Sequence, residues 1–179
     1  LYNANKEVYN LLKYGAKVKE TVEAAEKTVY FIDFNTVGNN HFSVAEEVTI
    51  VETNTKRPDL VVYVNGIAIA VIELKRSAVS VEEGIRQNLT NQREMFIEGF
   101  FTTIQLCIAG NESEGLKYGT VLTPAKEYMV WKNDGFKDNL DERNEIDVKI
   151  EEKTNLIDNK LLSSIYALLY KTRLLNIIH

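Results

Sequence analysis

Cysteine is almost absent: Cys107 is the single one in 179 residues. No disulfide can form within the chain, which suits a reducing, cytoplasmic setting. Its neighbours in "TIQLCIAG" mark it as a buried core thiol. Histidine is scarce too, with two residues far apart, His41 and His179. One cysteine and two distant histidines exclude the usual zinc constellations. His41 stands in a loop before a strand and reads as a surface residue. Only two prolines occur, Pro58 and Pro124, both at the edges of elements, where a missing N–H does least harm. No apolar run approaches the roughly 20 residues that span a bilayer, and no basic segment followed by an apolar one opens the chain as a secretion signal would. No membrane partner is expected. Excess positive charge is also lacking. The net charge is −5, which argues against a stand-alone nucleic-acid binder. The deficit is local, however: Lys132 to Lys153 holds eight acids and five bases and so carries −3 of it. The rest of the chain is near neutral, so the global sign says little about one groove. The acidic run reads as a solvated loop or a contact to another domain. No repeat and no phosphate-binding loop is present. In "GNESEGLK" the lysine falls one place late, no Ser or Thr follows it, and Glu112 and Glu114 would repel a phosphate.

What remains is an ordinary globular composition, 45% hydrophobic and 26% charged, enough for one well-filled core. "NANKEVYNLLKYG" places Ala4, Val8, Leu11 and Leu12 on one helical face, with Gly15 positioned to end the helix. Strands are expected in "KTVYFIDF", "HFSVAEEVTIVE", "DLVVYV", "IAIAVIEL", "TIQLCIAG", "YGTVLT" and "YMVWK". Trp131 in the last of these reads as core. Helices are expected from Val81 and again near Leu156. This order predicts an α/β fold, a mixed β-sheet flanked by helices without regular βαβ winding. "LLSSIYALLYKTRLLNIIH" is apolar on nearly every helical face, which suggests a piece that packs against a further domain.

The chemistry concentrates in "RPDLVVYVNGIAIAVIELKR", Arg57 to Arg76. Asn-Gly between apolar runs signals a hairpin. A two-residue turn sets Asp59 opposite Ile72 and sends Glu73 to the other face. A three-residue turn, or a bulge near Pro58, makes Asp59 and Glu73 diagonal neighbours with Lys75 on the same face. Two carboxylates that converge repel each other unless a cation sits between them. Their oxygens suit Mg²⁺, and a nearby lysine can orient a water or stabilise a developing phosphorane. The other reading of the same spacing is a charged rim at the end of a hairpin.

After the hairpin, "SVEE" at Ser80 to Glu83 matches a capping box. The helix it opens turns Val81, Ile85, Leu89 and Phe96 inward. Glu83, Gln87, Asn91 and Glu94 form a polar stripe. Gly84 lowers helix propensity by about 1 kcal/mol relative to alanine and reads as a place of close backbone approach. Arg86 and Arg93, seven apart, share a face and suit either DNA phosphates or a solvated pair.

"RPDLVVYVNGIAIAVIELKRSAVSVEEGIRQ" resembles the nuclease core of type I restriction enzyme R subunits, a PD-(D/E)XK domain that precedes a motor domain. The likeness runs upstream through "VYFIDFNTVGNNHFSVAEEVTI", where Asn40-His41-Phe42 replaces the family's Asn-Asp-Phe. Downstream it includes "KYGTVLTPAKEYMVWK". It covers residues 1–132 in order. The resemblance implies a restriction-endonuclease-like fold, with a nuclease domain over 1–155 and a helical segment, 156–179, leading toward the motor domain. It implies Mg²⁺-dependent endonucleolytic cleavage of double-stranded DNA, with Asp59, Glu73 and Lys75 catalytic. The two carboxylates and the Leu74 carbonyl would hold the metal. Gln87 matches the first residue of a Gln-x-x-x-Tyr motif, whose tyrosine is Asn91 here. ATP belongs to the motor domain only, and the methylation and specificity subunits are the implied partners. Alternative readings are another nuclease of this fold, in repair or junction resolution, and a non-catalytic DNA-docking domain.

Overall fold

A computed structural model describes residues 1–130 and 145–179. Helix α1 (Tyr2–Tyr14) leads to a small antiparallel ribbon, β1 (Ala16–Val18) with β2 (Lys27–Val29). The main sheet then builds from β3 (Phe42–Glu46), β6 (Leu60–Val64), β7 (Ile67–Leu74), β8 (Leu106–Asn111), β9 (Gly115–Gly119) and β10 (Met129–Val130). A short ribbon of β4 (Ile50–Val51) and β5 (Thr55–Lys56) branches off between β3 and β6. Helix α2 (Val81–Asn91) joins β7 to β8, and α3 (Glu145–Asn155), α4 (Lys160–Leu169) and α5 (Lys171–Ile178) close the chain. The strand order is β10-β9-β8-β7-β6-β3. Among the described strands only β7 and β8 run parallel, joined by the α2 crossover that parallel neighbours require. The α/β class, a mixed sheet flanked by helices, is as the sequence indicates. No helix among the described residues is long and apolar enough to cross a membrane.

Two apolar layers hold the sheet. On one face Val62, Val64, Ile69, Ala70, Ile72, Leu106 and Ile108 meet Leu161, Leu168, Leu174, Leu175 and Ile178 of α4 and α5. On the other, Val71, Cys107 and Ala109 meet Val81 and Ile85 of α2 and Ile97, Phe101 and Ile104 of its descending connection. The greasy C-terminal helices thus put most of their apolar side chains into the first layer, although Leu162 and Ile177 face outward. β7 lies between both layers, which is why its sequence reads as a continuous apolar run.

Several sequence expectations change. Ala4 and Leu11 are exposed; α1 meets the core through Val8 and Leu12. Between them Asn5 offers its amide to the carbonyls of Phe101, Thr102 and Ile104 at 2.8–3.1 Å. "KTVYFIDF" is extended only over Lys27–Val29. The Asp33 carboxylate ends it by accepting from Asn35 N, Thr36 N and Asn39 Nδ2, a side-chain-built turn. In "HFSVAEEVTIVE" the strand breaks at Glu47, which takes φ 50°. "YGTVLT" is mostly a turn, with Leu122 at φ 62°, and its strand lies earlier, at Gly115–Gly119. The helix expected near Leu156 begins at Lys160; Leu156 itself is an exposed residue just past α3. Trp131 and most of the acidic run lie outside the described residues.

Candidate active site

The hairpin turn has two residues. Asn65 and Gly66 take φ 52° and 81°, the positive angles of a type I′ turn. The chain therefore has neither the expected three-residue turn nor a bulge near Pro58; its register shifts between Val62 and Tyr63. The extra residue is Ile69: Tyr63 pairs with Ala68 and Val62 with Ala70, which leaves Ile69 between them. The bulge is visible in the packing. Ile67 and Ala68 point to opposite layers, Ile69 and Ala70 both to the α4–α5 layer, and Val71 and Ile72 alternate again. Beyond it Leu60 opposes Ile72, and the same register continued by one residue sets Asp59, just before β6, opposite Glu73. The bulge keeps Ile72 in the apolar layer and turns Glu73 toward α2. An unbulged strand would drive Glu73 into the leucines of α4 and α5.

Glu73 is fully buried, and neither carboxylate oxygen has a hydrogen-bond partner. Burial first, then the charge of Asp59, pushes its pKa up to about 8, while Lys75 pulls the other way. Lys75 Nζ lies 3.9 Å from Glu73 Oε2, with its side chain 19% exposed. It donates a 2.7 Å hydrogen bond to Gln87 Oε1 on the second turn of α2. Asp59 is half-buried and accepts from the Leu74 N–H at 2.6 Å. Asp59, Glu73, Lys75 and Gln87 therefore meet where β7 leaves the core.

The start of α2 is also fixed differently from the sequence expectation. Ser80 is the N-cap, but its hydroxyl accepts from Glu82 N, and Glu83 pairs with Arg86 at 3.3 Å instead of closing a capping box. The Val81 N–H goes to Glu114 Oε1 at 2.9 Å, a bond that lowers the Glu114 pKa. The loop that imitates a phosphate cradle thus brings its own carboxylate to the helix. The polar stripe is shorter than expected, because α2 ends at Asn91. Asn91 is buried, and Glu94 and Phe96 lie past the helix. Arg93 does too, so helical spacing no longer ties it to Arg86; both are exposed.

Glu46 and Glu47 escaped the sequence reading. With Asp59, Leu60 and Leu74 they line a cleft. Glu47 N donates to the Asp59 carbonyl, and its carboxylate lies 3.5 Å from Arg57. Only the β3–β6 register brings them there, and nothing local in the sequence announces it. Among the described residues no group of three or more His, Cys, Asp or Glu is placed to hold a metal, so Asp59 and Glu73 stand as a pair of carboxylates.

The family model for the type I restriction enzyme R protein N terminus matches residues 1–127. The chain belongs to that family. It is 30% identical over 134 residues to a Methanocaldococcus jannaschii protein named "Putative type I restriction enzyme MjaIXP endonuclease subunit", a match covering 69% of this chain and 12% of that protein. A type I restriction enzyme endonuclease subunit of Staphylococcus aureus strain MSSA476 is 31% identical over 91 residues, 50% of this chain and 10% of its own length. One from Staphylococcus saprophyticus is 31% identical over 88 residues, 48% and 9%. The chain thus spans about a tenth of the curated relatives it matches.

Proposed function

We propose that this R-subunit N-terminal domain is the nuclease of a type I restriction system, hydrolysing phosphodiester bonds of double-stranded DNA with Mg²⁺. The observation that carries the reading is Glu73: a fully buried carboxylate, both oxygens bare, facing Asp59 with a lysine 3.9 Å away. A buried carboxyl left without a hydrogen-bond partner is costly in a purely structural role. The donor set fits a hard divalent ion that keeps several waters and takes one or two carboxylates. Asp59 and Glu73 would hold it, with the Leu74 carbonyl, which leaves the strand on the same edge as the N–H that meets Asp59. When bound, Mg²⁺ supplies Lewis acidity and eases deprotonation of a water.

The chain's own groups do the rest. Gln87 fixes the Lys75 ammonium, whose remaining protons orient the attacking water and meet negative charge developing on the phosphorane. Arg86 and Arg93 are assigned to backbone phosphates, contacts that position DNA without reading its sequence. Target recognition falls to the methylation and specificity subunits. ATP-driven movement falls to a motor domain on the remaining length of the polypeptide. The cytoplasm, where Cys107 stays reduced, is the assigned compartment. Asp59→Ala and Lys75→Ala, placed in the intact subunit of the assembled complex, are expected to lower DNA cleavage by about 10²–10⁴-fold with translocation unchanged. Cleavage that survives alongside normal translocation would remove the assignment.

A further inference from the structure

Gly84 is the one residue of α2 without a side chain, and it sits where the helix crosses Glu73. A Cβ built there would lie 3.0 Å from the Ala109 Cβ, 3.4 Å from the Glu73 carbonyl oxygen and 3.5 Å from the Glu73 Cβ. Ala109 pairs with Glu73 in the β7–β8 register. Two small residues on adjacent elements therefore make a notch into which α2 settles. Neither local rule favours this choice, since glycine weakens a helix interior. The consequences fall on the site. The helix lies directly against Glu73, which keeps that carboxylate fully buried. One turn on, Gln87 reaches Lys75 at 2.7 Å. Leu74, the next residue of β7, gives its N–H to Asp59 at 2.6 Å.

We infer that Gly84 is a positioning residue for the nuclease site: with Ala109 it sets the depth of α2 over Glu73 and, through Glu73 and Gln87, the geometry of Asp59 and Lys75. This rests on the reading of the preceding subsection, because it treats Glu73 as a metal ligand.

The test is a size swap in the 179-residue chain. Gly84→Ala adds the methyl that meets Ala109 and Glu73, and Gly84→Ala with Ala109→Gly removes the atom at 3.0 Å. Two readouts are used: the ¹H shift and exchange rate of the Leu74 amide, without metal, and Mn²⁺ affinity by calorimetry. In Gly84→Ala the Leu74 amide proton is expected to move upfield and exchange at least ten-fold faster. Mn²⁺ affinity is expected to drop at least ten-fold, and the melting temperature to shift little, because helix propensity improves as packing worsens. The double variant should return the amide signal to the wild-type position and affinity to within about three-fold. A single variant that keeps the wild-type Leu74 signal, whatever its melting temperature, overturns the inference. If Gly84→Ala alone does not fold, a displaced Leu74 signal in the folded double variant overturns it equally, and a restored one supports it. If the wild type itself binds no Mn²⁺, the metal reading fails, and the Leu74 amide still decides the role of Gly84.

Discussion

The two faces of the sheet are built from the same strands and do different work. The α4–α5 face is closed mainly by leucine and isoleucine, with Ser164 of α4 buried among them and no charged residue of these two helices buried. The α2 face begins the same way around Val71, Ile85 and Phe101, but buries Glu73, Asn88, Asn91 and Gln92 along its length. Gln92 accepts from Leu122 N, and the Asn88 amide nitrogen donates to the Ile108 carbonyl while its Oδ1 stays bare. Glu73 has no hydrogen-bond partner at either oxygen. One face supplies stability, and the other spends part of that stability on a carboxyl group held away from water. A single bulge at Ile69 decides which face receives it.

That division can be broken from either side. Leu168 is fully buried on the apolar face. Leu168→Ala should lower the unfolding free energy by about 2–5 kcal/mol, measured by urea denaturation, and leave Mn²⁺ affinity unchanged. A large loss of metal binding there would mean that the faces are not independent.

On the other face the sign reverses. Folded Glu73 keeps its proton to about pH 8, against an ordinary value of 4.5. Between those values the unfolded chain holds fewer protons than the folded one, so stability falls as pH rises through this window. Glu73→Gln should therefore stabilise the metal-free protein at pH 8, by a few kcal/mol, and change little at pH 4. Denaturation at both pH values with a chelator present checks this, and equal effects at the two would contradict it. A smaller effect is expected at the rim of the site. Gln87→Ala removes the partner of a part-exposed Lys75, and about 1 kcal/mol of stability should go with it. Cleavage should drop more than stability does.

The apolar half of this comparison was legible from the sequence, because alternation and β-branched runs directly record burial. β6, β7, β8 and the start of α2 lie where the pattern puts them. The chemical half was legible only in composition. Asp59, Glu73 and Lys75 stand out as charges flanking a greasy hairpin, but their relative placement depends on one unpaired residue. Ile69 is no different in type from its neighbours, so nothing local marks it as the bulge. The N-terminus of α2 shows the same limit. A capping box is a local pattern, whereas here a distant carboxylate, Glu114, takes the first helical N–H, that of Val81. Helical spacing pairs Arg93 with Arg86, but α2 ends at Asn91, where no glycine or proline marks the stop. Gly84 carried the clearest signal, a helix breaker inside a helix that needed a neighbour to explain it.

If Glu73 is the metal ligand proposed above, the proton that burial keeps on its carboxyl is the one an entering ion displaces. Calorimetric titration with Mn²⁺ at pH 7, in buffers of different ionisation enthalpy, measures that proton directly. With the carboxyl raised to about 8, binding should release close to one proton at pH 7 and almost none above about pH 9. Glu73→Gln should abolish the release and weaken binding. Binding without proton release at pH 7, or equal affinity in Glu73→Gln, would contradict the account.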